Sequence, residues 1–176
     1  VRLKGEITEL DLEMVHASGW SVQDILSTAL RRRHKIVFID YLQQLTGRGK
    51  DRFEQVTRIS LDLHAMAQTH GILVVALSQL SRAATSRADA APTMTDLRES
   101  GQIEQDADAI LALYIDPDED APENNRKLRV LKNKEGTLGE FSLNFDGSLQ
   151  QFCEYMDGEL ATARHVKQMH EKGETA

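Results

Sequence analysis

The hydrophobic pattern of this chain alternates between helical spacing and strand spacing. Apolar residues recur every three or four positions over residues 22–29 and 53–66, which predicts two amphipathic helices. Residues 36–39 and 72–77 are apolar throughout and flank the second helix, as is typical of strands buried on both faces of a parallel sheet. A helix between two such strands is a βαβ unit, so the pattern predicts an α/β fold.

The second half of the chain carries shorter elements. Residues 102–108 predict a short helix, and residues 109–115 predict a third apolar strand. Three more strands are expected, over residues 128–132, 139–145 and 149–152. Gly136 and Gly147 lie in the turns between them and favour antiparallel hairpins. The pattern therefore predicts a mainly parallel sheet with closing antiparallel hairpins.

Composition and charge narrow the class of protein. The 176 residues include 21 Lys and Arg against 28 Asp and Glu, which gives a net charge of −7. This acidic balance argues against a protein that coats nucleic acid by bulk charge, although it leaves room for a local basic patch. The single cysteine, Cys153, excludes a disulfide framework and fits a reducing compartment. No apolar run approaches the ~20 residues that span a membrane, so we expect a soluble, cytoplasmic protein without a membrane partner.

Polar residues follow two of the predicted strands, at the edge where open α/β sheets bind ligands. Asp40 comes directly after residues 36–39, as in the Walker B arrangement, where a carboxylate orients Mg²⁺ directly or through water. Four apolar residues followed by Asp also occur in many strands that end in a turn, where the Asp has no role in metal binding. Gln79 follows the next strand, where its amide would either sense a γ-phosphate or bond a loop backbone.

Four short strings carry more information than any single residue. In chain order they are IDYLQ (residues 39–43), LSQLSR (77–82), DLRESGQIEQDAD (96–108) and LKNKEGTLG (131–139). Together they resemble the carboxy-terminal, RecA-like motor domain of DnaB-type replicative DNA helicases, and their order and spacing match over about residues 18–152. The resemblance implies a RecA-like, P-loop NTPase-type fold with flanking helices.

The resemblance also implies an activity and partners. It implies an enzyme that uses ATP and Mg²⁺ to translocate on single-stranded DNA and unwind the duplex during DNA replication. It implies a homo-oligomer, usually a hexameric ring, with single-stranded DNA through its centre and with primase and a helicase loader as further partners. Residues 1–153 are then part of the motor domain, and residues 154–176 are a polar carboxy-terminal extension.

The resemblance assigns roles to individual residues. Asp40 matches the Walker B Asp and metal ligand, and Gln79 matches the residue that couples phosphate state to the DNA-binding loops. The DNA-contacting loops, where Arg and backbone N–H groups hold phosphates, are matched by Arg82, Arg98, Glu99 and Gly101.

Lys132 and Lys134 are two apart on a predicted strand, so we expect them to point to the same side. In the family a Lys-x-Arg pair there reaches the γ-phosphate of ATP in the neighbouring subunit, which makes both lysines candidate catalytic residues. Lys134 departs from that pattern, because it keeps the charge of Arg but lacks its planar bidentate fork. The alternative is that both lysines only protect a sheet edge from aggregation.

One string that the family needs does not occur in the sequence. The Walker A loop GxxxxGK[ST], whose backbone N–H groups cradle phosphates, is absent from the 176 residues. The string GRGK at residues 47–50 has Asp51 where Ser or Thr is needed, so it predicts a surface loop. Because residue 1 is Val, we expect the Walker A loop and the family's catalytic Glu upstream, with the amino-terminal part of the fold missing.

These expectations lead to the interpretation that the chain is part of a helicase and does not hydrolyse ATP by itself. A nucleotide-dead DnaB-like module that binds DNA or interacts with a helicase is one alternative, which Lys134 favours slightly. A different RecA-like ATPase, such as a recombinase or a clock-type protein, is the other.

Overall fold

The chain folds into two compact units, residues 1–79 and 80–176, and each contains its own β-sheet. The structure is a computed structural model that describes residues 11–80, 91–97, 101–116 and 122–154. The predicted α/β class is confirmed, with one parallel and one antiparallel sheet. Within these ranges no helix is long and apolar enough to cross a membrane. The predicted boundary between residues 153 and 154 stays a prediction.

The first unit follows the predicted βαβ order. Its elements are helix α1 (Val22–Arg32), strand β1 (Ile36–Ile39), a 3₁₀ turn (Leu42–Gln44), helix α2 (Arg52–His70) and strand β2 (Leu73–Ala76). Ser21 caps the start of helix α1, because the Ser21 and Asp24 side chains each accept a hydrogen bond from the other's backbone N–H. The hydrogen bonds from the Ser21 hydroxyl and backbone lower the pKa of Asp24 below its usual range.

Strands β1 and β2 pair in parallel, with Ile39 opposite Ala76. One face of this sheet is covered, since Ile39 is only 6% exposed, whereas Phe38 on the other face is 66% exposed. The exposed face also bears Ile36, Leu73, Val75 and Leu77. The prediction of burial on both faces is therefore wrong for the described residues. Successive strand side chains point to opposite faces, and these residues cover only one of them.

The core of the first unit lies between α1, α2 and the turn after β1. Its buried apolar side chains are Val22, Ile25, Ala29, Leu42, Leu45, Val56, Ile59, Leu63 and Met66. Phe53 fits the helical spacing of this set, but it lies in the first turn of α2 and is exposed. Helix α2 begins at Asp51, which accepts a hydrogen bond from the Glu54 N–H, and ends at Gly71, whose φ of 60° suits glycine.

Residues 47–50 form a loop, as predicted, and this loop packs closely on helix α2. A Cβ atom at Gly47 would lie 2.5 Å from the Gln55 carbonyl oxygen, and one at Gly49 would lie 2.6 Å from the Gln55 nitrogen. Both glycines are therefore required by close approach of two backbones.

The second unit contains a short helix followed by an antiparallel sheet. Its elements are α3 (Gly101–Asp106), β3 (Ala109–Ile115), β4 (Asn125–Asn133), β5 (Gly139–Asp146) and β6 (Gln151–Glu154), and the strands pair in chain order. The predicted hairpins are confirmed. Tyr114 on β3 donates a 2.6 Å hydrogen bond to Glu140 on β5, across the central strand β4. Burial, with the Glu140 carboxylate, raises the pKa of Tyr114.

Candidate functional site

The pairing of β1 and β2 continues past the ends of both strands. The Leu77 N–H donates to the Ile39 carbonyl at 2.9 Å, and the Leu42 N–H donates to the Leu77 carbonyl at 2.8 Å. Asp40 and Tyr41 lie between these two bonds and are joined by a cis peptide bond. The Asp40 carboxylate is exposed, and among the described residues it accepts no hydrogen bond and forms no ion pair. It is therefore open to a ligand at the carboxyl edge of the sheet.

Gln79 lies at the same edge, and the side chain of Gln43 holds its backbone. The Gln43 Nε2 donates to the Ser78 Oγ at 3.0 Å, and the Gln79 N–H donates to the Gln43 Oε1 at 3.4 Å. The side chain of Gln79 is exposed. The structure thus brings together the residues that directly follow β1 and those that directly follow β2, as the parallel pairing predicts. These two short segments are called the exits of the strands. No pattern singles out Gln43 in the sequence beyond its place in the IDYLQ string.

The two lysines lie in the second unit, where Lys132 contacts the last turn of helix α3 and Lys134 contacts a residue just after it. The Lys132 Nζ donates to the backbone carbonyls of Glu104 at 2.5 Å and of Gln105 at 3.1 Å. The Lys134 Nζ forms a 2.6 Å ion pair with the Asp108 carboxylate. A cation at the last carbonyls of a helix is favoured by the helix dipole. Both lysines therefore have partners within the chain.

One expectation about these lysines is corrected. Lys134 lies one residue beyond the end of β4 rather than on the strand, although its N–H still donates to the Asp108 carbonyl at 2.9 Å. Strand β4 pairs with β3 as far as Asn133 but with β5 only as far as Val130. Neither lysine lies within the β4–β5 pairing, so the alternative that the lysines protect a sheet edge stays a prediction.

Most of the predicted DNA-contacting residues lie outside the described residues, namely Arg82, Arg98 and Glu99. Gly101 is the first residue of α3, and a Cβ atom there would meet nothing within 4 Å. The start of the DLRESG string is fixed by Asp96, which is 3% exposed and accepts hydrogen bonds from the Thr93 N–H at 2.7 Å and the Thr93 Oγ1 at 2.9 Å. Thr93 and Asp96 form a capping box, a signal that the sequence itself contains.

The described residues contain no group of three or more His, Cys, Asp or Glu side chains able to hold a metal ion. Asp40 is thus a single carboxylate rather than part of a protein cage. This suits Mg²⁺, which usually keeps several waters and binds through one or two carboxylates together with phosphates.

Comparison with known proteins decides the family. Residues 2–154 match the model of the DnaB-like helicase C terminal domain. The chain belongs to this family. It is 35% identical over 158 residues to the replicative DNA helicase DnaC of Bacillus subtilis, covering 84% of this chain and 35% of that protein. It is 40% identical over 121 residues to a probable plasmid replicative DNA helicase of Chlamydia trachomatis, covering 68% of this chain and 26% of that protein.

Two solved structures share the fold. A DnaB-like replicative helicase, described with its interactions with primase, matches with a TM-score of 0.82 and 36% identity, covering 88% of this chain and 41% of that one. A second structure, described as an ATPase domain, matches with a TM-score of 0.83 and 36% identity, covering 88% of this chain and 58% of that one. The chain therefore has the DnaB-type fold and spans about a third of the first curated relative.

Proposed function

We propose that this chain is part of the motor domain of a replicative DNA helicase that couples ATP hydrolysis to translocation on single-stranded DNA and duplex unwinding. The observation that carries the proposal is the open Asp40 carboxylate beside the exit of β2, within a DnaB-type domain. In an open α/β sheet this edge is where ligands bind.

Asp40 suits the role of Mg²⁺ ligand, directly or through water, because its carboxylate is exposed at the end of a parallel strand. ATP with Mg²⁺ supplies the phosphoryl group whose hydrolysis drives movement. Gln79 follows the adjacent strand and carries the amide that responds to phosphate state. Lys132 and Lys134 supply positive charge to ATP of a neighbouring subunit, for which each must leave its partner within the chain.

Single-stranded DNA is the proposed polymer substrate. Arg82, Arg98, Glu99 and Gly101 are the residues proposed to contact it, because Arg side chains and backbone N–H groups bind phosphates without reading sequence. We place the DNA in the centre of a homohexameric ring in the cytoplasm. Primase and a helicase loader are the further proposed partners, and the structural neighbour that is described with primase supports the first of these.

The second candidate function is a nucleotide-dead DnaB-like module that binds DNA or a helicase. Two features of Lys134 favour it: this residue replaces the Arg of the family pattern, and its ammonium group is engaged by Asp108 at 2.6 Å. ATP hydrolysis measurements separate the two functions.

The 176 residues alone are expected to show no ATPase activity. They contain no GxxxxGK[ST] string, and so they lack the backbone cradle and the lysine that neutralises phosphates. The measurement is phosphate release by the purified chain with ATP and Mg²⁺. A Mg²⁺-dependent rate that Asp40→Ala abolishes would contradict this expectation.

The helicase proposal is tested by Asp40→Asn in the longer protein of which we propose this chain to be a part. Loss of a metal-orienting charge is expected to slow ATP turnover and strand separation by about 100-fold or more. Asp62→Asn is the matched control, since Asp62 is an exposed carboxylate of α2 that pairs with Arg58 on the helix surface. Equal rates for the two variants would overturn the role of Asp40, and unwinding without ATP hydrolysis would overturn the proposal.

A further inference from the structure

The side chain of Gln43 joins the exits of two neighbouring strands by both ends of its amide. Its Nε2 donates to the Ser78 hydroxyl at 3.0 Å, and its Oε1 accepts from the Gln79 N–H at 3.4 Å. The side chain is half-buried, so these bonds are less open to competition from water than those of an exposed amide. The contact extends the β1–β2 pairing by one side chain, to the residues just beyond Leu77.

The backbone of Gln43 is itself fixed from two directions. The Arg52 guanidinium, at the start of α2, donates to the Gln43 carbonyl at 2.6 Å. On the preceding residue, the Leu42 N–H donates to the Leu77 carbonyl at 2.8 Å. A side chain that extends from an anchored backbone can transmit a displacement, because neither of its ends moves freely.

We propose that Gln43 is a positioning residue that sets the backbone of Gln79 relative to Asp40 and so links the turn that carries Asp40 to the residues directly after β2. This inference rests on the proposed function, in which Asp40 and Gln79 serve ATP hydrolysis. The amide suits the task because one end donates and the other accepts. Glutamate keeps both contacts, since the Ser78 hydroxyl can donate to it, whereas methionine has the same length and makes neither.

The test compares Gln43→Met with Gln44→Met in the longer protein. Gln44 is the matched control, because it occupies the same 3₁₀ turn and its Nε2 donates to the Tyr41 hydroxyl rather than to the β2 exit. One measurement is hydrogen exchange of the Gln79 backbone N–H in the absence of nucleotide. The other is kcat and KM for ATP, with and without single-stranded DNA.

Gln43→Met is expected to speed exchange at Gln79 by about threefold to tenfold, as for loss of one hydrogen bond. It is expected to remove most of the DNA stimulation of kcat, while KM for ATP stays within about twofold. Gln44→Met leaves exchange and stimulation unchanged, and Gln43→Glu restores both.

Several results would overturn the inference. One is an exchange rate at Gln79 that does not distinguish Gln43→Met from Gln44→Met. Another is an equal fall in basal and DNA-stimulated turnover, which would indicate general destabilisation. A wild-type protein without DNA-stimulated ATPase activity would instead overturn the proposed function, and the exchange measurement would still decide whether Gln43 holds Gln79.

Discussion

The candidate catalytic group at the carboxyl edge of the parallel sheet and those near the end of helix α3 differ in whether they have partners within the chain. Among the described residues the Asp40 carboxylate has no partner, and it projects from a strand end that backbone hydrogen bonds fix on both sides. Lys132 and Lys134 are instead held by carbonyl and carboxylate oxygens of their own unit. The Asp40 carboxylate thus has no partner among the described residues, whereas both lysines have intrachain partners.

This difference predicts different behaviour on ligand binding. A carboxylate without a partner binds a cation at no cost in lost contacts. A lysine that stabilises a helix end or an ion pair must exchange that contact for a phosphate, so its net gain is smaller. The proposed metal binding at Asp40 would therefore break no contact of the described residues, whereas the proposed contact of the lysines with a nucleotide would break one.

The strongest test of this comparison is Lys132→Met in the longer protein. A finger that stabilises transition-state charge contributes about 10³-fold or more, so ATP turnover is expected to fall by that order. Thermal unfolding measured alongside reports the loss of the contacts to the Glu104 and Gln105 carbonyls. The control is Lys50→Met, an exposed lysine of the first unit. Loss of stability with unchanged turnover would show that Lys132 only caps helix α3.

The second prediction concerns the loop of residues 47–50, which packs on helix α2 in the first unit. Gly47→Ala is expected to destabilise the protein by about 1–3 kcal/mol, because the new methyl group would lie 2.5 Å from the Gln55 carbonyl oxygen and force the two backbones apart. Gly101→Ala is the control, since a methyl group there meets nothing within 4 Å. Thermal or denaturant unfolding checks both variants, and a Gly47→Ala protein as stable as wild type would contradict the close packing of this loop.

The smallest expected effect is that of Asp108→Asn, which releases Lys134. The ion pair is exposed, with side-chain exposures of 41% and 76%, so unfolding free energy is expected to change by less than about 1 kcal/mol. If the pair competes with phosphate, ATP turnover rises by up to about fivefold. Glu135→Gln is the control, since Glu135 is an exposed acid next to Lys134 in the chain. A fall in turnover would mean that Asp108 orients Lys134 for phosphate rather than withholding it.

Local pattern was sufficient to predict the helices and strands. The capping residues at Ser21 and Gly71 and the apolar spacing of α2 each depend on neighbours in sequence, so the bounds of α1, β1 and α2 could be predicted within a few residues. The hairpin turns were predictable for the same reason. The exposure of Phe38 could not be predicted, because an apolar strand residue has no local signal for whether another element covers its face.

The sequence by itself determined the α/β class, the family and the position of Asp40 and Gln79 at strand ends, since period and motif spacing are local properties. Only the tertiary structure decided that Gln43 joins the two exits and that Lys132 and Lys134 are held by the end of α3. These contacts join residues 26 to 36 positions apart in the chain. Their geometry depends on strand register and helix placement, which no short segment specifies.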